Sequence, residues 1–329
     1  MRFRRNRGAA RVIGALGIAA GLAACRKAET PAPAPANPPA AAASSPGALA
    51  APGGGPPSIR DTAEKGRPPF SGFHASRGIA LDGRGRVWIA DFGHAAIAVY
   101  DADGGYLGGW GGRGDGTYQL KDPCALAIRG DDLYVADTWN GRVLRFSLEG
   151  AALGKAPGDF YGPRGVAVAP DGRVWIADTG NDRAVVCEKD LSAPKYFGKK
   201  GSGAAELDSP VGIAAGPSGK VYVADSVNRR IQVLDASGRF EAAFPIPGWG
   251  PNTEPSLAVD DDETLFATDP AGPAVLQIGK GGKVVKSWTA DDAGKPFARP
   301  TGIAIDRKER RLLVLNTDND TIATLKLSR

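Results

Sequence analysis

The chain has 329 residues, with 41 Lys and Arg against 36 Asp and Glu, giving a formal net charge of +5. The whole excess lies at Arg2, Arg4, Arg5, Arg7 and Arg11; without them 36 basic residues face 36 acidic ones. A chain so balanced has no net cationic field to displace counterions from phosphate, which argues against a nucleic-acid partner.

Those arginines front a short apolar run, Val12 to Ala24, of 13 residues. That is too short to cross a bilayer, so residues 1–24 are expected to be an export signal and not an anchor helix. At its end Leu22-Ala23-Ala24-Cys25 resembles the lipobox of bacterial lipoproteins. The resemblance implies cleavage before Cys25 and lipidation of its thiol. Arg26 follows, where an inner-membrane retention signal often carries Asp, so the expected location is the cell envelope, anchored in the outer membrane. Residues 25–57 are rich in Pro and Ala and nearly free of aromatic or branched apolar side chains. Such a stretch cannot offset its ordering entropy and reads as a disordered tether; fully extended, it reaches roughly 100 Å.

From Ser58 to Arg329 the chain is long enough for one large domain. Its dominant feature is a repeated segment, best seen as Val174-Trp175-Ile176-Ala177-Asp178-Thr179-Gly180-Asn181-Asp182-Arg183. The acidic position recurs at Asp91, Asp137, Asp178, Asp225 and Asp269, with Asn316 last, at intervals of 41 to 47 residues. This is the length of a four-stranded propeller blade. Within blade three, Gly165 to Val168 reads as a first strand, Arg173 to Ala177 as a second and Arg183 to Cys187 as a third, with a weaker fourth ending near Phe197. Short strands between Gly, Pro and Asp turns indicate an all-β fold.

First strands are built from small residues, as in Gly78-Ile79-Ala80 and Gly212-Ile213-Ala214, which suits crowding around an axis. A bulky side chain recurs in the second strand as Trp88, Tyr134, Trp175, Tyr222, Phe266 and Leu313, able to fill the wedge between blades. The pattern Pro-x-Gly-Ile-Ala followed by Val-Tyr-Val-Ala-Asp-x-x-Asn-x-Arg resembles the NHL repeat over nearly all of residues 74–329. That resemblance implies a six-bladed β-propeller. Blade five departs from it at Asp269-Pro270-Ala271-Gly272-Pro273, and blade six at Asn316. Thr321 to Leu327 supplies a third strand to blade six, but the stretch before His74 is a poor source for a fourth.

The repeated Asp reads as a turn-tying residue, since a catalytic group needs an environment its copies do not share. Amidating lyases with similar propellers hold zinc with several histidines, whereas here only His74 and His94 are present. Lactonase-like propellers place carboxylates around the channel mouth. The residues entering the first strands here are Arg77, Cys124, Arg164, Val211, Pro255 and Thr301, with no carboxylate. No metal or cofactor is therefore expected. Asp260-Asp261-Asp262-Glu263 reads as a solvated hairpin, and Cys124 and Cys187 as separate buried thiols.

Strand direction puts the loops after the second strands on the same face as the connections between blades. That face gathers Arg77, Phe92, Trp139, Arg142, Arg164, Arg183, Arg229 and Arg230, a mixture typical of binding surfaces. The expected function is a membrane-anchored binding or scaffold module, a monomer that takes a protein or glycan partner through this face. The alternative is a propeller hydrolase or lyase, lactonase-like or amidating-lyase-like, acting at the channel mouth.

Overall fold

The computed structural model describes residues 57–250 and 253–327. The expected signal, Cys25 and the tether up to residue 56 lie outside them. The described residues form six sheets. Blade one holds β2 (Gly78–Leu81), β3 (Val87–Asp91), β4 (Ala96–Tyr100) and β5 (Tyr106–Gly111), with β1 (Ser58–Ile59) added beside β5. Blade two is β6 (Pro123–Arg129), β7 (Asp132–Asp137), β8 (Arg142–Ser147) and β9 (Ala152–Lys155). Blade three is β10 (Pro163–Val168), β11 (Val174–Asp178), β12 (Arg183–Cys187) and β13 (Lys195–Phe197). Blade four is β14 (Pro210–Ala215), β15 (Val221–Asp225), β16 (Arg230–Leu234) and β17 (Phe240–Pro245). Blade five runs β18 (Leu257–Val259), β19 (Leu265–Asp269), β20 (Ala274–Ile278) and β21 (Val284–Trp288); blade six has three strands, β22 (Pro300–Asp306), β23 (Arg311–Asn316) and β24 (Thr321–Lys326). Every pairing is antiparallel, as expected for a chain that returns through short turns.

The small residues of the first strands are demanded by the neighbouring blade. A Cβ added to Gly165 would lie 2.2 Å from the carbonyl oxygen of Val211, and one on Gly212 would lie 2.4 Å from that of Pro255. Farther out the blades diverge and large side chains fill the gap. Trp88, Tyr134, Trp175, Phe266 and Leu313 are all essentially inaccessible. Consequently the apolar clusters lie between blades: one joins Trp88 and Trp110 of blade one to Leu133 and Phe146 of blade two. Continuous apolar runs hold for second and third strands, but outer strands depart from them. β9, β13, β17 and β21 are largely exposed because no later strand covers them.

The ring closes without a shared outer strand. Residues 58–59 pair with β5, and blade six is left with three strands. In place of a strand, Asp320 accepts the backbone N–H of Ala75 at 2.7 Å and its other oxygen meets His74 Nδ1 at 2.9 Å. The Thr317 hydroxyl donates to the Ser76 carbonyl at 2.8 Å.

The acidic run after β18 is the hairpin turn to β19, with Asp261 and Asp262 exposed, but it is more than a solvated loop. Asp260 pairs with Arg310 and Asp261 with Arg307, both at 2.7 Å, so two of its carboxylates grip blade six. Glu263 turns the other way, accepting from the Tyr222 hydroxyl and the Ser218 N–H of blade four. Cys124 and Cys187 are both free and buried.

Candidate functional site

Each blade brings the end of its second strand and the start of its first strand to one face, because Pro163 pairs with Asp178 and Pro210 with Asp225 across the ladder. The repeated Asp organises that face. Asp178 is fully buried; one oxygen accepts the Tyr161 N–H from the incoming connection, and the other takes Asn181 Nδ2 at 2.8 Å and Arg183 Nε at 2.7 Å. Asp137 does the same with Lys121, Asn140 and Arg142, and Asp225 with Asp208, Asn228 and Arg230. The carboxylate ties its own turn, as the repeat pattern leads one to expect, and in addition fastens the incoming connection to it.

This arrangement decides how many loop-face arginines remain free for a ligand. Arg142 donates onward to the carbonyls of Asp115, Gly116 and Gln119, and Arg230 to those of Ser202, Gly203 and Glu206. Arg183 donates to Asp159 and lies 4.3 Å from the centre of the Tyr196 ring. These guanidiniums are taken up in holding the connections between blades. Arg229 is exposed in a left-handed turn (φ 55°), and Trp139 is 48% exposed on the 3-10 turn Thr138–Asn140.

Arg77 and Arg164 behave differently. They enter the first strands of blades one and three and converge on the central channel, where both meet the Glu254 carboxylate of blade five. Arg164 Nη1 lies 2.6 Å from one carboxylate oxygen and Arg77 Nη1 pairs with the other. Phe92 packs flat under Arg77, with the guanidinium carbon 4.1 Å from the ring centre. Burial works against the Arg77 charge, but the charge and hydrogen bond of Glu254 outweigh it and hold the guanidinium above its ordinary pKa. The Cys124 thiol lines the same channel, and burial pushes its pKa up despite the nearby Arg77, which favours the neutral thiol. The cavity around these groups is about 80 Å³, room for several waters.

The structure therefore corrects the reading of a channel mouth without a carboxylate. Glu254 was missed because it does not enter a first strand; it stands one residue earlier. Blades two, three, four and six carry Pro123, Pro163, Pro210 and Pro300 at that position, and blade one has Ser76. The signal was present as a departure from the repeat, a charged residue where the pattern is Pro. Of the sequence candidates, only Arg77 and Arg164 line the channel, with Phe92 packed against Arg77. His74 and His94, with ring centres 6.0 Å apart, lie at the seam of blades one and six, on Asp320 and Asp91 respectively. Among the described residues no group of three or more His, Cys, Asp or Glu is gathered as a metal would require.

Six radially arranged antiparallel sheets around a lined channel define a six-bladed β-propeller. The NHL repeat family model matches residues 160–183 and 207–234, so this six-bladed propeller carries NHL repeats in blades three and four. It is 32% identical over 124 residues to the human NHL repeat-containing protein 3, a match spanning 32% of this chain and 35% of that relative. Among solved structures it is similar to virginiamycin B lyase from Staphylococcus aureus (TM-score 0.54, 19% identity, 77% of this chain and 85% of that one). It is equally similar to a chain of a nidogen/laminin complex (TM-score 0.56, 18% identity, 70% and 84%). At these identities the structural likeness concerns the fold, which an enzyme and a protein-binding module evidently share.

Proposed function

We propose that this propeller is the working part of a lipid-anchored, extracytoplasmic binding module that takes a protein or carbohydrate-bearing partner at its loop face, with the channel mouth as the anchoring point. One observation carries the reading. Arg77 and Arg164 share a single carboxylate, so the mouth keeps one net positive charge beside the flat face of Phe92. Arg over an aromatic ring at a concave centre is the composition of an interface anchor, and its charge suits an acidic group on the partner. The anchor and tether read from Cys25 and residues 25–57 would give the propeller reach without adding contacts.

The test uses intact cells carrying the parent protein, Cys25→Ser, or Arg77→Ala with Arg164→Ala. The expected result is loss of the Cys25→Ser protein from the membrane fraction and loss of the parent's crosslinked partners from the double variant. A folded double variant that captures the same partners as the parent would move the binding site elsewhere, and unchanged fractionation of Cys25→Ser would remove the anchor.

A second reading, a hydrolase or lyase acting at the mouth, is favoured by the carboxylate found there and by the lyase fold likeness. Against it, each oxygen of Glu254 already accepts a hydrogen bond from an arginine, so the carboxylate is held by two guanidiniums of the protein and not presented free to a substrate. A turnover abolished by Glu254→Gln would support this reading over the first.

A further inference from the structure

Three features mark the place of Glu254 in the ring. In blades two, three, four and six the residue at this position pairs across the ladder with the repeated Asp or Asn, as in Pro123 with Asp137 and Pro300 with Asn316. In blade five the first strand begins only at Leu257, so Glu254 and Pro255 stand outside the ladder, as Ser76 and Arg77 do in blade one. The second feature lies in the seams between blades. In three of the six seams a hydroxyl following the repeated Asp or Asn donates to the carbonyl at this position in the next blade, Thr138 to Pro163, Thr179 to Pro210, and Thr317 to Ser76, whereas blades one and five carry Phe92 and Pro270 there and offer no hydroxyl. The equivalent donor for Glu254 is Ser226, 2% exposed, and its hydroxyl has no partner. Third, the side chain reaches across the channel to arginines of two other blades, where proline could reach nothing.

The first two features weaken blade five and its seam with blade four. An unpartnered buried hydroxyl gives up its hydrogen bonds to water without replacing them, and a shortened strand forgoes ladder bonds. A residue whose role was structural would be expected to strengthen the repeat frame, whereas Glu254 has left it and is placed by its carboxylate. On the other side of the contact, Arg77 and Arg164 come from positions that the remaining blades fill with Cys124, Val211, Pro255 and Thr301. Two guanidiniums facing one open cavity need a carboxylate, and nothing in the repeat supplies one. Arg77 also keeps a buried Nε with no acceptor, so the pair has donor capacity that Glu254 does not use.

We propose that the channel mouth is a carboxylate-binding site, and that Glu254 is its internal stand-in, occupying the place of a carboxylate borne by the ligand. This rests on the binding reading above and names the chemical group that reading leaves open. A tethered side chain competes at an effective concentration in the mM range or higher, so an outside carboxylate must displace it before binding. Removing Glu254 therefore exposes the arginine pair, while removing an arginine destroys the site.

The experiment titrates the purified protein with acetate, using acetamide as the neutral isostere, and needs neither membrane nor partner. Glu254→Ala is expected to bind acetate at least tenfold more tightly than the parent and to ignore acetamide. Arg164→Ala added to Glu254→Ala should abolish acetate binding. If Glu254→Ala does not fold, Glu254→Gln retains the side chain without the charge and is expected to show the same gain. Acetate affinity equal to the parent's in the folded variant, or acetate and acetamide bound alike, overturns the proposal. Acetate binding that follows the prediction, in a protein whose arginine variants still capture every cellular partner, would keep the carboxylate site and refute only the partner reading.

Discussion

At the scale of single residues, the repeated Asp and Glu254 show two opposite uses of a carboxylate. Asp178 is buried and meets a backbone N–H, an amide and a guanidinium, so each oxygen finds a donor. Truncating it strands the Arg183 guanidinium and the Tyr161 N–H together, and breaking a buried, hydrogen-bonded pair from one side costs about 3 kcal/mol or more. Asp178→Ala should accordingly unfold at a clearly lower urea concentration than the parent, and a parental midpoint would show that the connection is held by other contacts. Glu254 has only side-chain arginines to place it, which is why its removal is predicted to alter binding more than stability.

At the scale of the strand, the axis sets the rules. First strands of neighbouring blades approach so closely that their Cβ positions are occupied by the next backbone. Gly212→Ala places a methyl group where the Pro255 carbonyl oxygen already lies, 2.4 Å away. Backbone on one side and a packed blade on the other leave no cheap adjustment, so the substitution is expected to cost about 2–3 kcal/mol, within the range for overpacking. Thermal unfolding would read it, and because Pro255 follows Glu254 the same variant should also change acetate affinity. A neutral Gly212→Ala would mean that the blade four and blade five seam yields easily.

At the scale of the whole ring, stability depends on a closure made by side chains and not by a shared strand. His94 lies at that seam, facing Asp91 directly, with His74 and Asp320 across from it. The hydrogen bond to Asp91 raises the His94 pKa above its ordinary value, burial opposes the shift, and the charges of Asp91 and Asp320 add to it. A group whose folded pKa is raised stabilises most below its unfolded value, about 6.5, and loses that contribution as pH climbs through the folded value. The parent should therefore lose thermal stability from pH 6 to 8 by more than a His94→Gln variant does. Parallel pH profiles for the two would show that the imidazolium contributes nothing to closure.

Much of this architecture was legible in the chain because its causes are local or periodic. The blade interval, the small residues at the axis, the wedge of Trp88, Tyr134 and Trp175, and the turn residues each act within one repeat, so every copy states them again. The pairing of Asp137 with Arg142 could be read from spacing, but its reach back to the Lys121 N–H could not, because that contact depends on how the connection folds over the face. The same holds for the outer strands, whose exposure follows from having no covering neighbour. Closure of the ring through Asp320 and Ser76 joins residues about 240 apart, and no local pattern encodes such a pair. The site itself shows the division most clearly. Composition placed Arg77 and Arg164 at the channel mouth, since their position in the repeat fixes their place in the ring. Only the tertiary structure brought Glu254 between them, because a side chain crossing the axis answers to the geometry of three blades at once.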